Sequence, residues 1–206
     1  MIEHRRHQRI RFNAQPLVRF GQAGSSGTGR LENLSLGGLM VCTNIPLKTG
    51  DIFGCEFSVS GSVLIDISAV VVSCVGQLYS VRFQSGPVSE QLLKGEITRA
   101  LSSGKGSILT VNDSQGRRVV RVVGGLNGSL RNDFMHALLK VGVDEVDLSS
   151  VTDIDHDGVE LCRIATQTGR IAIVRPSCNI SDELAAIVGW ESCLTSLAAP
   201  NQLDNK

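Results

Sequence analysis

Between residues 16 and 83, apolar side chains recur in short runs broken by turn-forming residues, and this pattern predicts strands. The runs fall at residues 16–20, 30–33, 38–43, 51–59, 63–74 and 78–83. In the fourth, Ile52, Phe53, Phe57 and Val59 are apolar while Asp51 and Glu56 are polar; the fifth is long and β-branched. Breaks at residues 46–50, Ser60-Gly61 and Gly76-Gln77 read as hairpin-type turns. Residues 21–29, with four glycines and two serines, read as a flexible loop. Short strands at this spacing predict a small antiparallel barrel. The period then changes: Leu92, Leu93, Ile97 and Leu101 stand at helical spacing within residues 88–101.

Residues 101–107 are rich in Gly and Ser and read as a linker. Beyond it, strands are expected at residues 108–111 and 117–123, joined by a turn at 112–116. Ser129 is placed to cap a helix running to residue 139, with Leu130, Phe134, Leu138 and Val141 on one face. A buried strand at 145–148, a helix at 157–168, a strand at 171–174 and a helix capped by Ser181 complete the order. Strands alternating with helices argue for an α/β layer structure, different in kind from the first half. The expected organisation is therefore a barrel domain over 1–100, the linker, an α/β domain over 108–199 with a mixed sheet, and a frayed tail at 200–206.

Composition adds little until it is divided. The 206 residues carry no formal net charge, but residues 1–100 sum to +3 and residues 101–206 to −3. That asymmetry suggests an anion-binding first half and is too small to imply duplex DNA as a partner. The six cysteines (42, 55, 74, 162, 178 and 193) form no C-x-x-C pair, and no leader sequence is recognised, so a reduced cytoplasmic setting is expected. No apolar run has the length a membrane span needs, so no membrane insertion is expected.

The candidate chemistry sits at the start. Arg5-Arg6-His7-Gln8-Arg9-Ile10-Arg11 offers several guanidinium groups on a segment with no apolar period, read as a mobile arm. Asn33-Leu34-Ser35-Leu36-Gly37-Gly38 offers small polar side chains and glycines that let a ligand approach the backbone. An R-x-x-x-R arm (Arg5, Arg9) followed by [DN]-x-S-x-x-G on a barrel-like pattern resembles the PilZ domain, as does Val81-Arg82-Phe83 on the last strand. The resemblance covers about residues 3–100. It implies a six-stranded barrel that binds cyclic di-GMP through Arg5, Arg6, Arg9, Asn33, Ser35, Gly37 and Gly38. The chemistry agrees: arginine forks pair with phosphate oxygens or guanine edges and stack on bases, and Asn33 and Ser35 can bond guanine or ribose.

A second resemblance lies at residues 146–158, where Asp155-His156-Asp157-Gly158 occupies the place of the D-S-S-G signature of STAS domains, the partner-switching fold of anti-sigma-factor antagonists. It covers about residues 108–195. It implies a regulatory, partner-facing position at the start of a helix, where the family's second serine is phosphorylated. Here that serine is Asp157, a carboxylate of about one charge that partly imitates a phosphoserine. The acids and His156 could also suggest a metal or acid–base cluster, but helix N-termini gather acids for dipole reasons alone. No nucleophile–base pair, P-loop or dinucleotide fingerprint is present. The sequence therefore points to a non-enzymatic, metal-free cyclic di-GMP receptor and adaptor that signals to a protein partner through its second domain. A nucleotide-independent interaction scaffold is the alternative; monomer and homodimer both stay open.

Overall fold

The structure, a computed structural model, describes residues 7–22, 25–61, 63–114, 116–167 and 172–174. Six strands close a barrel: β2 (Leu17–Gln22), β3 (Ser25–Ser35), β4 (Gly38–Cys42), β5 (Ile52–Phe57), β6 (Ile65–Val75) and β7 (Leu78–Phe83). Their order around the barrel is β2-β3-β4-β7-β6-β5, with β5 returning to β2 and every pair antiparallel. Alternation decides which side faces in. Phe53, Cys55 and Phe57 of β5 are buried, as are Ile65, Ile67, Ala69 and Val71 of β6, while Glu56, Asp66 and Ser68 between them face solvent. Phe57 stacks on Phe83 and Phe20 meets Phe53 edge-on, so these four aromatics are spent inside the barrel.

The expected loop at residues 21–29 is instead mostly strand, because β3 begins at Ser25. Its glycines serve contact rather than freedom. A Cβ on Gly27 would lie 1.7 Å from Ile45 Cδ1, and one on Gly29 2.6 Å from Val41 Cγ2. Tertiary packing thus overrides a loop-like composition.

Helix α1 (Pro87–Ser102) follows, with proline in its first turn and Leu93 and Ala100 buried against the barrel core. Leu92, expected on the same face, is 40% exposed. Glu96 is buried on α1 and accepts hydrogen bonds from Arg99 on the same helix and from Ser60, which ties the helix to the β5–β6 connection.

The second sheet is mixed, in the order β1-β8-β9-β10-β11. Its strands are β1 (Arg11–Phe12), β8 (Gly106–Ser114), β9 (Arg117–Leu126), β10 (Glu145–Ile154) and β11 (Ala172–Val174). β8 and β9 form an antiparallel hairpin, and β10 is parallel to both β9 and β11. Between β9 and β10 lie a 3-10 turn (Gly128–Leu130), α2 (Arg131–His136) and a π-type turn (Ala137–Val141) ended by Gly142 at φ 71°. Ser129 does not cap this region. Asn127 does: its side-chain oxygen accepts from the Ser129 N–H at 3.0 Å, and its buried amide donates to Ser107 Oγ at 3.2 Å. Leu130, Phe134 and Leu138 do share a buried face. Helix α3 (His156–Gln167) adds Leu161, Cys162 and Ala165 to the same core. The expected helix after Ser181 and the tail at 200–206 lie outside the described residues.

The larger departure is at the start of the chain. The arginine segment was expected to be a mobile arm, yet its Arg11–Phe12 end is an edge strand of the second sheet, paired with Ser107 and Gly106. Ile10 and Phe12 are buried in the core that also holds Ile108. Two apolar residues among the arginines, two positions apart, are the strand signal that charge concealed.

Burial also sorts the thiols. Burial, and for Cys55 the nearby Asp66, pushes the Cys55 thiol up to about 12, and burial alone does the same for Cys162. A thiol pKa raised by folding leaves native stability full below the unfolded value near 9 and drains it between about 9 and 12. Titrating the native protein with a maleimide at neutral pH is expected to modify exposed Cys74 quickly and to leave Cys55 and Cys162 unreacted until unfolding. Unfolding midpoints in urea are expected to fall from pH 9 upward.

Candidate functional site

The site grows from the β3–β4 hairpin. Ser35 and Gly38 pair across a two-residue turn made of Leu36 and Gly37. The Ser35 hydroxyl donates to the Gly38 carbonyl at 3.1 Å, and the Gly37 carbonyl accepts from the Phe83 N–H at 3.1 Å. The turn is thereby fastened to β7. Glycine is required at Gly38, where a Cβ would stand 2.0 Å from the Val81 carbonyl oxygen. Gly37 faces the arm: a Cβ there would lie 3.1 Å from His7 Cδ2.

A bulge between Leu31 and Asn33 shifts the register of β3 against β4. Bulges turn a side chain off the regular alternation, and here adjacent Asn33 and Leu34 are both buried. Among the described residues the Asn33 amide donates to Met40 Sδ, at 3.6 Å, a weak acceptor that a ligand oxygen would outcompete. A second bulge, between Val71 and Ser73 on β6, brings exposed Val72 to the same place. Together His7, Arg9, Asn33, Ser35, Gly37 and Gly38 line a cleft of about 260 Å³ with Leu39, Val72, Ser80 and Val81.

Of the residues expected to bind ligand, Arg9, Asn33, Ser35, Gly37 and Gly38 are thus brought together, and Arg5 and Arg6 lie outside the described residues. His7, Val72 and Ser80 were missed. His7 could have been found, since it lies between the two motif arginines; Val72 and Ser80 could not, because a bulge leaves no mark in a β-branched run.

The acidic segment of the second half occupies the β10–α3 junction. Asp155 caps α3, its carboxylate accepting the Gly158 N–H at 2.9 Å. His156 and Asp157 are exposed on the first turn, with the Asp157 carboxylate against the backbone of Gly128. Gly158 is packed so closely on β9 that a Cβ would stand 2.0 Å from the Leu126 carbonyl oxygen. Asp153 lies near the end of β10, against Gly104. Among the described residues, no group of three or more His, Cys, Asp or Glu side chains is placed to hold a metal ion, and no helix is long and apolar enough to cross a membrane.

Residues 3–101 match the family model of the PilZ domain. Among solved structures, Escherichia coli YcgR in complex with c-di-GMP is similar at 24% identity and TM-score 0.42, over 47% of this chain and 46% of that one. The Bacillus subtilis inhibitor of motility (MotI/DgrA) is similar at 18% identity and TM-score 0.40, over 48% and 52%. The K. pneumonia MrkH–c-di-GMP complex is similar at 18% identity and TM-score 0.42, over 49% and 52%. This chain therefore spans about half the length of each of these three. No curated protein matches it.

Proposed function

From the PilZ domain matched over residues 3–101, we propose that this protein is a cyclic di-GMP receptor whose second half passes the binding event to a protein partner. The observation that carries the reading is the single cleft in which the second motif arginine, Arg9, stands over Asn33, Ser35, Gly37 and Gly38. Arg9, with Arg5 and Arg6 before it, supplies the charge and planar forks for phosphate and guanine. Asn33 and Ser35 supply the hydrogen bonds at the floor, and the two glycines let the ligand reach the backbone.

Isothermal titration of the full chain with cyclic di-GMP tests the reading. Micromolar or tighter binding that weakens with added salt is expected, because the ligand carries two phosphodiester charges. Heat signals no larger than those of dilution would overturn it.

For the second half we propose a STAS-like interaction module. The hairpin β8–β9, the parallel pairs β9–β10 and β10–β11, and α3 opening on Asp155-His156-Asp157-Gly158 support this. With Asp157 at the motif's modified position, its state is not set by a serine kinase; the barrel supplies the switch. The competing reading, a scaffold indifferent to nucleotide, draws on that same fixed carboxylate. It predicts identical partner recovery in pull-downs with and without cyclic di-GMP.

A further inference from the structure

We propose that Asp133, a residue of α2, is a positioning residue for the barrel's ligand cleft: by holding Arg11 it keeps residues 7–13 where His7 and Arg9 complete the site. The proposal rests on the cyclic di-GMP reading of that cleft. It assigns part of the ligand affinity to a side chain in the other half of the chain.

The segment is stitched on both sides within four residues. Ile10 belongs to the barrel: its N–H donates to the Leu34 carbonyl at 2.7 Å, and its carbonyl accepts from the Leu34 N–H at 2.9 Å. Leu34 lies between the site residues Asn33 and Ser35, so this pairing sets where the arm crosses the cleft. Arg11 and Phe12 belong to the second sheet through Ser107 and Gly106, and the Asn13 N–H donates to the Lys105 carbonyl at 3.2 Å. The seat is close-fitting, since a Cβ on Gly106 would lie 3.1 Å from Ile10 Cγ2 and 3.2 Å from Ala100 Cβ.

Side chains alternate along this strand, so Ile10 and Phe12 go into the core while Arg9 and Arg11 emerge. Arg11 then meets Asp133 as a fork, its Nε donating to Oδ2 and its Nη2 to Oδ1 at 3.3 Å. Arg9 and Asn33 form a wall shared by the ligand cleft and a second cleft of about 230 Å³, whose other side includes Thr110, Asp133 and His136. Any shift of Arg11 is therefore felt at Arg9.

Ile10 and Phe12 anchor the middle of the segment in the core, and the half-buried Arg11–Asp133 pair adds modestly to the hold on the arginines around them. The population in which His7 and Arg9 are set over the cleft is consequently a fraction of the whole, and apparent affinity scales with that fraction. Removing the Asp133 charge lowers it. Loss of a negative charge near an anionic ligand would by itself tighten binding, so weakening separates positioning from simple electrostatics.

The test uses the full chain, its Asp133→Asn and Arg11→Asp variants, and the double exchange Arg11→Asp with Asp133→Arg. Cyclic di-GMP calorimetry is paired with amide exchange of the ligand-free proteins. Asp133→Asn is expected to weaken binding about twofold to fivefold and to speed exchange at Ile10 and Asn13. The Val71 amide, bonded within the barrel, keeps its rate, and the double exchange restores both readouts. Unchanged affinity in Asp133→Asn beside a binding parent overturns the proposal, as does weakened affinity with unchanged arm exchange. A parent that does not bind overturns the receptor reading instead, and the affinity claim with it; arm exchange then reports separately on whether Asp133 holds the segment.

Discussion

Replacing Arg9 with alanine lowers affinity for cyclic di-GMP by ~2–4 kcal/mol, roughly 30-fold to 1,000-fold, with little change in folding stability. The size of the effect follows from what the guanidinium does. It is exposed in the free protein, so its removal, with the loss of the surface interaction it makes there, costs the fold no more than about 1 kcal/mol. On binding it is the described cation of the cleft that meets a ligand carrying two negative charges, above a floor of uncharged donors. Arg9→Lys is expected to recover only part of the loss, because an ammonium cannot present two parallel donors or a flat face to guanine. Calorimetry and thermal melts of the same samples make the comparison. Equal affinities in parent and Arg9→Ala would remove Arg9 from the site and with it the main support for the receptor function.

The second large effect is on folding. Gly158→Ala is expected to destabilise the second half by about 3 kcal/mol, whereas His156→Ser stays within about 0.5 kcal/mol. The added methyl must enter a space 2.0 Å from the Leu126 carbonyl and 2.9 Å from Ile154 Cγ1, so α3 has to lift from β9. Backbone cannot rotate away as a side-chain tip can. His156 meets no such wall, being exposed on the first turn of the helix. Urea unfolding followed by circular dichroism distinguishes them. A Gly158→Ala protein as stable as its parent would mean that helix and strand are not packed this closely. The glycine of this motif is thus accounted for by close approach alone, independent of any chemistry at residues 155–157.

The barrel was legible because its strands announce themselves by alternation: residues 78–83 were placed without error, and the helix of residues 88–101 to within one residue. Of the candidate arginine, asparagine, serine and glycine positions read from the sequence, Arg9, Asn33, Ser35, Gly37 and Gly38 converge on one cleft. Three kinds of information were not legible. Glycine-rich residues 25–29 were read as loop because composition does not say that Ile45 and Val41 occupy the missing side-chain space. The bulges that add Val72 and re-aim Asn33 depend on register between strands, which no single run carries. The arm's strand was masked because its partner, Gly106–Ser107, lay in what composition marked as linker, far along the chain.

That distance has a consequence for how the protein comes into being. Strand β1 pairs Arg11 with Ser107, so the arm waits for a segment made 96 residues later. At about 5–20 residues per second, the partner strand follows roughly 5–20 s behind. The barrel strands, all within residues 17–83, are complete well before that. A nascent chain can therefore carry a closed barrel whose arm is still unseated and whose ligand cleft lacks one wall. On the receptor reading proposed above, full affinity is expected once the second half has emerged, and an unfinished chain is then expected to bind cyclic di-GMP more weakly than a finished one.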